Sequence, residues 1–191
     1  MPNIFDPAQR EKLENPERFS GVAPEKILRA AGLKPGDILL EIGCGTGVFT
    51  LPAARMTAPR GKVYALDISA AMLAVLRTKL AAAGMYNVEA RECSADELHL
   101  PPETGTMALL VDVLHELDDR EAFLDGLRSA LKPGARLAII EWKKTPTPMG
   151  PPPGHRLDEE QIKELLKKTG FTEPAVTSAE SNHNLYLSKK A

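Results

Sequence analysis

The sequence predicts an α/β fold: a doubly wound, mostly parallel sheet of seven strands with one antiparallel strand near its C-terminal edge. Five short runs, each apolar at consecutive positions, alternate with helical stripes of apolar residues, which is typical of strands buried on both faces of a parallel sheet. Right-handed crossovers connect such units. The chain ends in two strand-like runs joined by a short polar turn, 180–183, which can only connect antiparallel neighbours.

The individual elements follow from apolar periodicity and from capping residues. The strands are predicted at 37–42, 62–67, 87–93, 106–113, 136–142, 175–179 and 184–188. A first helix follows the first strand directly. Three further helices are bounded by caps and stops: Ser69 and Gly84, Asp118 or Asp119 and the segment 132–134, and Asp158 with Gln161 and Gly170.

The chain has 191 residues, which suits one domain, 1–191, made of an N-terminal cap segment, 1–23, and a core, 24–191. With 43% hydrophobic and 26% charged residues, the composition excludes fibrous and disordered classes. No apolar run approaches the roughly 18–20 residues of a membrane span. The first residues also lack a basic segment followed by an apolar one, so we expect no signal peptide and a cytoplasmic location.

The charges argue against a nucleic-acid partner, because 24 basic and 26 acidic residues leave a net charge of −2 and no basic stripe. The two cysteines, Cys44 and Cys93, are too few for a disulfide framework or a four-thiolate site, and we expect no metal. A homodimer is left open.

The strongest local signal is Glu41-Ile-Gly43-Cys-Gly45-Thr-Gly47, which follows the first strand and precedes a helix. Its glycines allow a sharp turn and a close approach of the backbone to a ligand, at the strand end where open α/β sheets bind ligands. A dinucleotide site would need a glycine where Val48 stands, and no Gly-Lys-Ser/Thr of a phosphate loop follows. The spacing therefore favours a nucleoside without a phosphate bridge.

Asp67 ends the second strand, about twenty positions after this turn. An acid at that separation can accept hydrogen bonds from ribose hydroxyls. The alternative is that Asp67 belongs to the cap of the helix that begins near Ser69.

These residues resemble those of class I S-adenosylmethionine-dependent methyltransferases, which have a Rossmann-like fold, and the small ubiquinone/menaquinone-type ("type 11") subgroup is the most similar. The resemblance runs from about residue 24 to residue 188; the segments 94–96, 112–115 and 131–134 also match it. It implies S-adenosylmethionine as cofactor and contacts from Glu41, Gly43, Gly45, Gly47, Asp67, Ile68, Ala95, Asp96 and Asp112. Asp96 has the alternative of capping a short turn.

The function we predict is methyl transfer to a small-molecule acceptor. Methylation of a protein or RNA, and a non-catalytic S-adenosylmethionine-binding module, are the alternatives; Val48 argues against a nicotinamide-dependent reductase. His115, shortly after the fourth strand, is the catalytic candidate because a histidine titrates near neutral pH. Its alternatives are packing against the cofactor or capping the next helix.

Signatures of several other methyltransferase subgroups are absent. The segment 112–115 lacks the N/D-P-P-Y/F motif of amino-group methylation and the Pro-Cys pair of cytosine methylation. Glu141-Trp142-Lys143 is not the Asp-Asn pair of magnesium-dependent catechol-type enzymes, and two cysteines are fewer than arsenite methylation needs.

The proline-rich segment 143–157 leaves the fifth strand at the same rim as the glycines and is long for a connection. We expect it to form part of the acceptor site, with Trp142 as pocket wall or core anchor. Two residues are expected to enter the next helix, Arg156 holding an anionic group and His155 facing the methyl group. The alternative is a rigid surface strap. We expect His99 and His183 at the surface.

Overall fold

A computed structural model of the chain describes residues 11–19, 21–94, 97–147 and 149–191. Its helices are α1 (Glu11–Glu14), α2 (Pro24–Ala30), α3 (Thr50–Thr57), α4 (Ala70–Ala82), α5 (Arg120–Ala130) and α6 (Glu159–Lys168). Its strands are β1 (Ile38–Ile42), β2 (Lys62–Asp67), β3 (Val88–Glu92), β4 (Gly105–Val111), β5 (Leu131–Trp142), β6 (Ala175–Ser178) and β7 (His183–Lys189). Short 3₁₀ turns occupy Pro16–Phe19, Leu114–Glu116 and Pro153–His155.

The strands form one sheet in the order β3-β2-β1-β4-β5-β7-β6. Strand β7 pairs antiparallel with both β5 and β6, and every other pairing is parallel. The predicted fold class is therefore confirmed, including the single antiparallel strand near the C-terminal edge. The strand order reverses between β1 and β4, and the carboxyl ends of strands at such a switch point are where doubly wound sheets bind ligands.

Each face of the sheet has its own apolar core. Helices α2, α3 and α4 pack on one face, where buried residues such as Leu28, Ala53 and Leu76 meet Leu109 and Ile140 of the sheet. Helices α5 and α6 cover the other face with a second buried cluster. The strands are thus buried on both sides, which explains their consecutive apolar residues.

The predicted helix caps are confirmed in atomic detail. The Ser69 side chain accepts from the backbone of Met72. Of the two candidates at α5, Asp119 is the cap, because its carboxylate accepts from the Ala122 N–H at 2.9 Å. Asp158 and Gln161 form the reciprocal capping box of α6.

Two strand boundaries differ from the prediction by two residues or more. Strand β4 ends at Val111 rather than at 113, because Asp112 adopts a left-handed backbone conformation, with φ 56°, that an extended strand cannot continue through. Strand β5 begins at Leu131, which pairs with Gly105, rather than at Arg136, which pairs with Met107. The 132–135 turn is thus a bulge inside β5.

No helix in the described ranges is long and apolar enough to cross a membrane. The same ranges contain no group of three or more histidine, cysteine or acidic side chains arranged to hold a metal ion.

Candidate active site

The glycine-rich turn between β1 and α3 is held in a conformation that suits only glycine. Gly43, Gly45 and Gly47 have φ angles of 67°, 53° and 92°, all in the left-handed region. A Cβ on Gly43 would lie 2.4 Å from Val113 Cγ2, and one on Gly47 would lie 2.5 Å from Leu76 Cδ1. Glycine is therefore required at two of these positions by the protein's own packing as well as by backbone geometry.

Asp67 ties this turn to the end of β2. Its Oδ2 accepts from the Gly45 N–H at 2.7 Å, and its Oδ1 accepts from the Ser69 N–H at 2.8 Å. Burial raises the pKa of Asp67, although these backbone donors act in the opposite direction. The carboxylate thus supports both the turn and the start of α4, while each oxygen retains a lone pair for a further donor. Ile68 beside it is exposed.

Glu41 is a buried acid at the base of the turn. Its side-chain Oε2 has no hydrogen-bond partner within the residues that the structure describes. Burial, assisted by the negative charge of Asp67, raises the pKa of Glu41 to about 8. A buried carboxylate of this kind is stabilised in its ionised form by a nearby cation, so the site fits a ligand that carries positive charge.

Asp112 stands at the carboxyl end of β4. Its N–H donates to Ile140 O at 2.9 Å, which keeps it in the sheet despite its left-handed φ. The side chain is buried, and its Oδ1 lies 3.1 Å from Nε2 of His183. Backbone strain of this kind clusters at functional sites.

His115 and Glu141 form a buried pair where β4 and β5 end. His115 Nδ1 lies 2.7 Å from Glu141 Oε2, and the His115 N–H donates to Oε1 of the same carboxylate at 3.2 Å. Only 5% of the His115 side chain and 1% of the Glu141 side chain are exposed. Burial lowers the pKa of His115, but the hydrogen bond and charge of Glu141 outweigh it and raise the pKa.

Arg156 has a different role from the one expected. All five N–H donors of a guanidinium are used within the chain: Nε donates to Pro151 O, and the terminal nitrogens donate to Lys143 O, Thr145 O, Thr147 Oγ1 and Met149 O. The expectation that Arg156 holds an anionic group is therefore wrong for this conformation. Instead, the buried Arg156 folds the proline-rich segment around itself.

Trp142 lies directly beneath that segment. Its side chain is buried, the Arg156 guanidinium lies 5.1 Å from its ring centroid, and a Cβ on Gly150 would lie 2.8 Å from its ring. Trp142 is thus a core anchor at the base of the loop. His155 is exposed in a 3₁₀ turn that precedes α6, so the expectation that His155 and Arg156 enter that helix is wrong.

His183 is the functional candidate that the sequence did not indicate. The prediction of a surface residue is wrong, because His183 is fully buried. Its Nδ1 contacts the Glu180 carboxylate, and its ring packs against Trp142 with centroids 4.0 Å apart. The register of β7 on β5 places His183 at the site, because it pairs His183 with Trp142. His99, in contrast, is exposed as predicted.

Ala95 and Asp96, which are predicted to contact the cofactor, lie outside the described residues. The two residues that flank them are hydrogen-bonded to each other: the Glu97 N–H donates to Ser94 Oγ at 2.9 Å.

The described residues thus combine a left-handed glycine turn, an acid at the end of β2 and a buried acid suited to a cation, all at the switch point of a doubly wound sheet. Together they define the class of S-adenosylmethionine-dependent methyltransferases, whose cofactor is a nucleoside that carries a sulfonium.

Comparison with known proteins gives the family. The family model described as "methyltransferase domain" matches residues 39–134, half of the chain, and the chain belongs to this family. A solved S-adenosylmethionine-dependent methyltransferase from Aquifex aeolicus is 31% identical, with a TM-score of 0.93 over 98% of this chain and all of that one. The protein is therefore a class I S-adenosylmethionine-dependent methyltransferase of the small type 11 kind, and S-adenosylmethionine is its cofactor.

Curated relatives include ubiquinone/menaquinone biosynthesis C-methyltransferases (UbiE). That of Teredinibacter turnerae is 34% identical over 118 residues, which are 61% of this chain and 47% of the relative. That of Cellvibrio japonicus is 32% identical over 118 residues, with the same shares covered. The chain spans about half the length of these relatives.

Proposed function

We propose that this methyltransferase acts on a small-molecule acceptor that binds above the carboxyl ends of β4 and β5, with His115 as the base that removes the acceptor's proton. The observation that carries the proposal is the buried pair of His115 Nδ1 and Glu141 Oε2, 2.7 Å apart. Bound S-adenosylmethionine supplies an electrophilic methyl group on a sulfonium.

The geometry of the rim supports the predicted cofactor residues. The backbone of Gly43, Gly45 and Gly47 offers close approach, and Asp67 retains lone pairs for ribose hydroxyls. The exposed Ile68 beside it can pack on a flat ring. Negative charge from Asp112, and from Glu41 once a bound cation lowers its pKa from about 8, suits a sulfonium and an ammonium group. Ala95 and Asp96 remain predicted contacts.

His115 is prepared to accept a proton. An ionised Glu141 can only accept hydrogen bonds, so it selects the tautomer with hydrogen on Nδ1 and leaves the lone pair on Nε2. Methyl transfer is an in-line displacement for which positioning supplies much of the acceleration, and a base is needed only where the acceptor loses a proton. The pair therefore favours an acceptor that carries an acidic proton.

Within that class we propose a phenolic or enolic carbon acid. Loss of its O–H proton to His115 places electron density on a ring carbon, which attacks the methyl group and displaces the neutral sulfide as the carbon–sulfur bond breaks. In a phenol, that ring carbon then loses its hydrogen to solvent and the oxygen regains a proton, which restores the aromatic ring. Two observations support this choice: relatives at about a third identity are named C-methyltransferases, and the chain's net charge of −2 offers no attraction for RNA.

The test is methylation of a matched panel with isotopically labelled S-adenosylmethionine, followed by mass spectrometry. The panel holds a dihydroxynaphthalene, the same ring with both hydroxyls methylated, an arylamine, a peptide mixture and RNA. We expect a carbon-methylated product from the dihydroxynaphthalene and none from its doubly methylated form, which has no proton to lose. Methylation of peptide or RNA alone would overturn the proposal.

A further inference from the structure

His183 is buried at a point where four parts of the site meet. Its two nitrogens face Asp112, at the end of β4, and Glu180, in the turn before β7. Its ring lies 4.0 Å from that of Trp142, the floor of the proline-rich segment, and 5.1 Å from that of Phe19. Phe19 in turn packs edge-on against Phe49, next to the glycine-rich turn, with centroids 5.2 Å apart.

This arrangement defines the protonation state of the ring. One carboxylate lies at ion-pair distance from each ring nitrogen, and two ionised carboxylates on either side favour the ring with hydrogen on both nitrogens. His183 is then an imidazolium between two anions. Burial lowers the pKa of His183, but Asp112 and Glu180 outweigh it and raise the pKa, in agreement with the geometry.

The positive charge of His183 determines where the Asp112 carboxylate can lie. Without it, Asp112 and Glu180 would be two buried carboxylates with a neutral ring between them, which is strongly unfavourable. Arg156 also acts on Asp112 from a neighbouring element, but its guanidinium donates to carbonyl and hydroxyl groups of its own loop. His183, in contrast, directs a nitrogen at Asp112 from 3.1 Å.

We propose that His183 is a positioning residue for cofactor binding: its positive charge and the 3.1 Å approach of its Nε2 hold the Asp112 carboxylate at the rim, and its ring packs against Phe19 and Trp142 around the same point. The inference rests on the proposed contact of Asp112 with the cofactor. It is independent of the acceptor and of His115 as base, so it can fail while that chemistry stands.

The first experiment is a double-mutant cycle read by calorimetric titration with S-adenosylhomocysteine, which needs no acceptor. We expect His183→Gln and Asp112→Asn each to weaken binding about tenfold, since each removes the buried ion pair that holds Asp112 at the rim. The double variant should be no weaker than either single variant, because both changes remove one interaction. His99→Gln, at an exposed histidine, is the matched control and should bind as the wild type does.

Unchanged affinity in a folded His183→Gln protein, or additive losses in the cycle, would overturn the inference. Unchanged affinity in Asp112→Asn would instead remove the contact on which it rests. Neither result bears on the acceptor panel, which tests the chemistry separately.

Two further measurements do not depend on His183→Gln folding. In wild-type protein with 15N-labelled histidine, both ring nitrogens of His183 should carry hydrogen at pH 7, and a neutral ring would contradict the proposal. Glu180→Gln should lower the pKa of His183 and make the affinity for S-adenosylhomocysteine fall, relative to wild type, as pH rises through the new value. A purely structural role would leave that pH profile unchanged.

Discussion

The backbone N–H of Gly45 donates a 2.7 Å hydrogen bond to Oδ2 of Asp67, so the acid at the end of β2 holds the turn that follows β1. The two strongest sequence signals are thus parts of one structure. Asp67, which is predicted to bind the ribose, also holds the glycine-rich turn in place. A substitution at Asp67 therefore affects both roles.

Asp67→Ala should weaken binding of S-adenosylhomocysteine by about 1.5–3 kcal/mol, because a charged hydrogen-bond acceptor is lost. It should also speed hydrogen exchange at the Gly45 amide. Asp67→Asn is the control that separates the roles, since its amide oxygen can still accept from Gly45 while the charge is gone. Calorimetry that finds unchanged affinity in Asp67→Ala would place the ribose elsewhere.

Glu41 should make stability fall as pH rises. Its pKa is about 8 in the folded chain against 4.5 ordinarily, so between these values the folded state binds more protons than the unfolded state. The free energy of unfolding then decreases with pH across this window. Urea denaturation at pH 5, 6.5 and 8 should therefore show a steeper decrease for wild type than for Glu41→Gln. Glu97→Gln, at an exposed side chain, is the control; parallel curves for wild type and Glu41→Gln would refute the burial argument.

Much of the fold could be predicted because its signals are local. The Asp158–Gln161 capping box needs only three residues of separation, and the glycine turn needs only the residues around β1. His183 could not be found in this way. Its burial depends on β7 lying antiparallel to β5 with His183 opposite Trp142, a register set by tertiary packing between distant segments.

The side-chain role of Arg156 and the backbone conformation of Asp112 could not be predicted from the sequence either. A buried arginine whose partners are carbonyls of its own loop has no sequence signature, and charge alone favoured an anionic ligand. The left-handed φ of Asp112 is sustained by its contacts with Ile140 and His183, which local propensity does not contain. Tertiary partners thus account for both errors.

The His115–Glu141 pair predicts the pH dependence of turnover. The base must be neutral, and because its pKa is raised, turnover should rise with pH through a midpoint above 6.5. Glu141→Gln should move this midpoint to lower pH and reduce kcat, since the amide is uncharged and holds the ring less firmly. His115→Asn should reduce kcat by about 10²–10⁴-fold, the usual contribution of a general base. The measurement is kcat against pH with the acceptor found in the panel.

Two results would contradict the role of His115. A midpoint that is the same in wild type and Glu141→Gln would mean that another group titrates. Full turnover by His115→Asn, with unchanged affinity for S-adenosylhomocysteine, would mean that the acceptor needs no base.

The Arg156 guanidinium makes the proline-rich segment testable by one substitution. Arg156→Lys keeps the positive charge, but a compact ammonium cannot reproduce a planar fork with five donors. Carbonyls such as Lys143 O and Thr145 O lose their partner. Because these hydrogen bonds are only half-buried, water can replace part of each one, and the cost is below the about 1–3 kcal/mol of a fully buried unpaired group. Hydrogen exchange should therefore become faster in 143–147 and 149–154.

If the segment builds the acceptor site, Arg156→Lys should leave the affinity for S-adenosylhomocysteine unchanged and lower kcat/KM for the acceptor. Replacement of 149–154 by a Gly/Ser linker should do the same more strongly, because the linker restores the entropy that the prolines remove. Lys144→Gln is the matched control: it removes a cation from the same segment, but one whose 3.3 Å pair with Asp158 is exposed and contributes little. Faster exchange in the segment with unchanged kcat/KM would mean that it is a strap joining β5 to α6, and that acceptor specificity lies elsewhere on the rim.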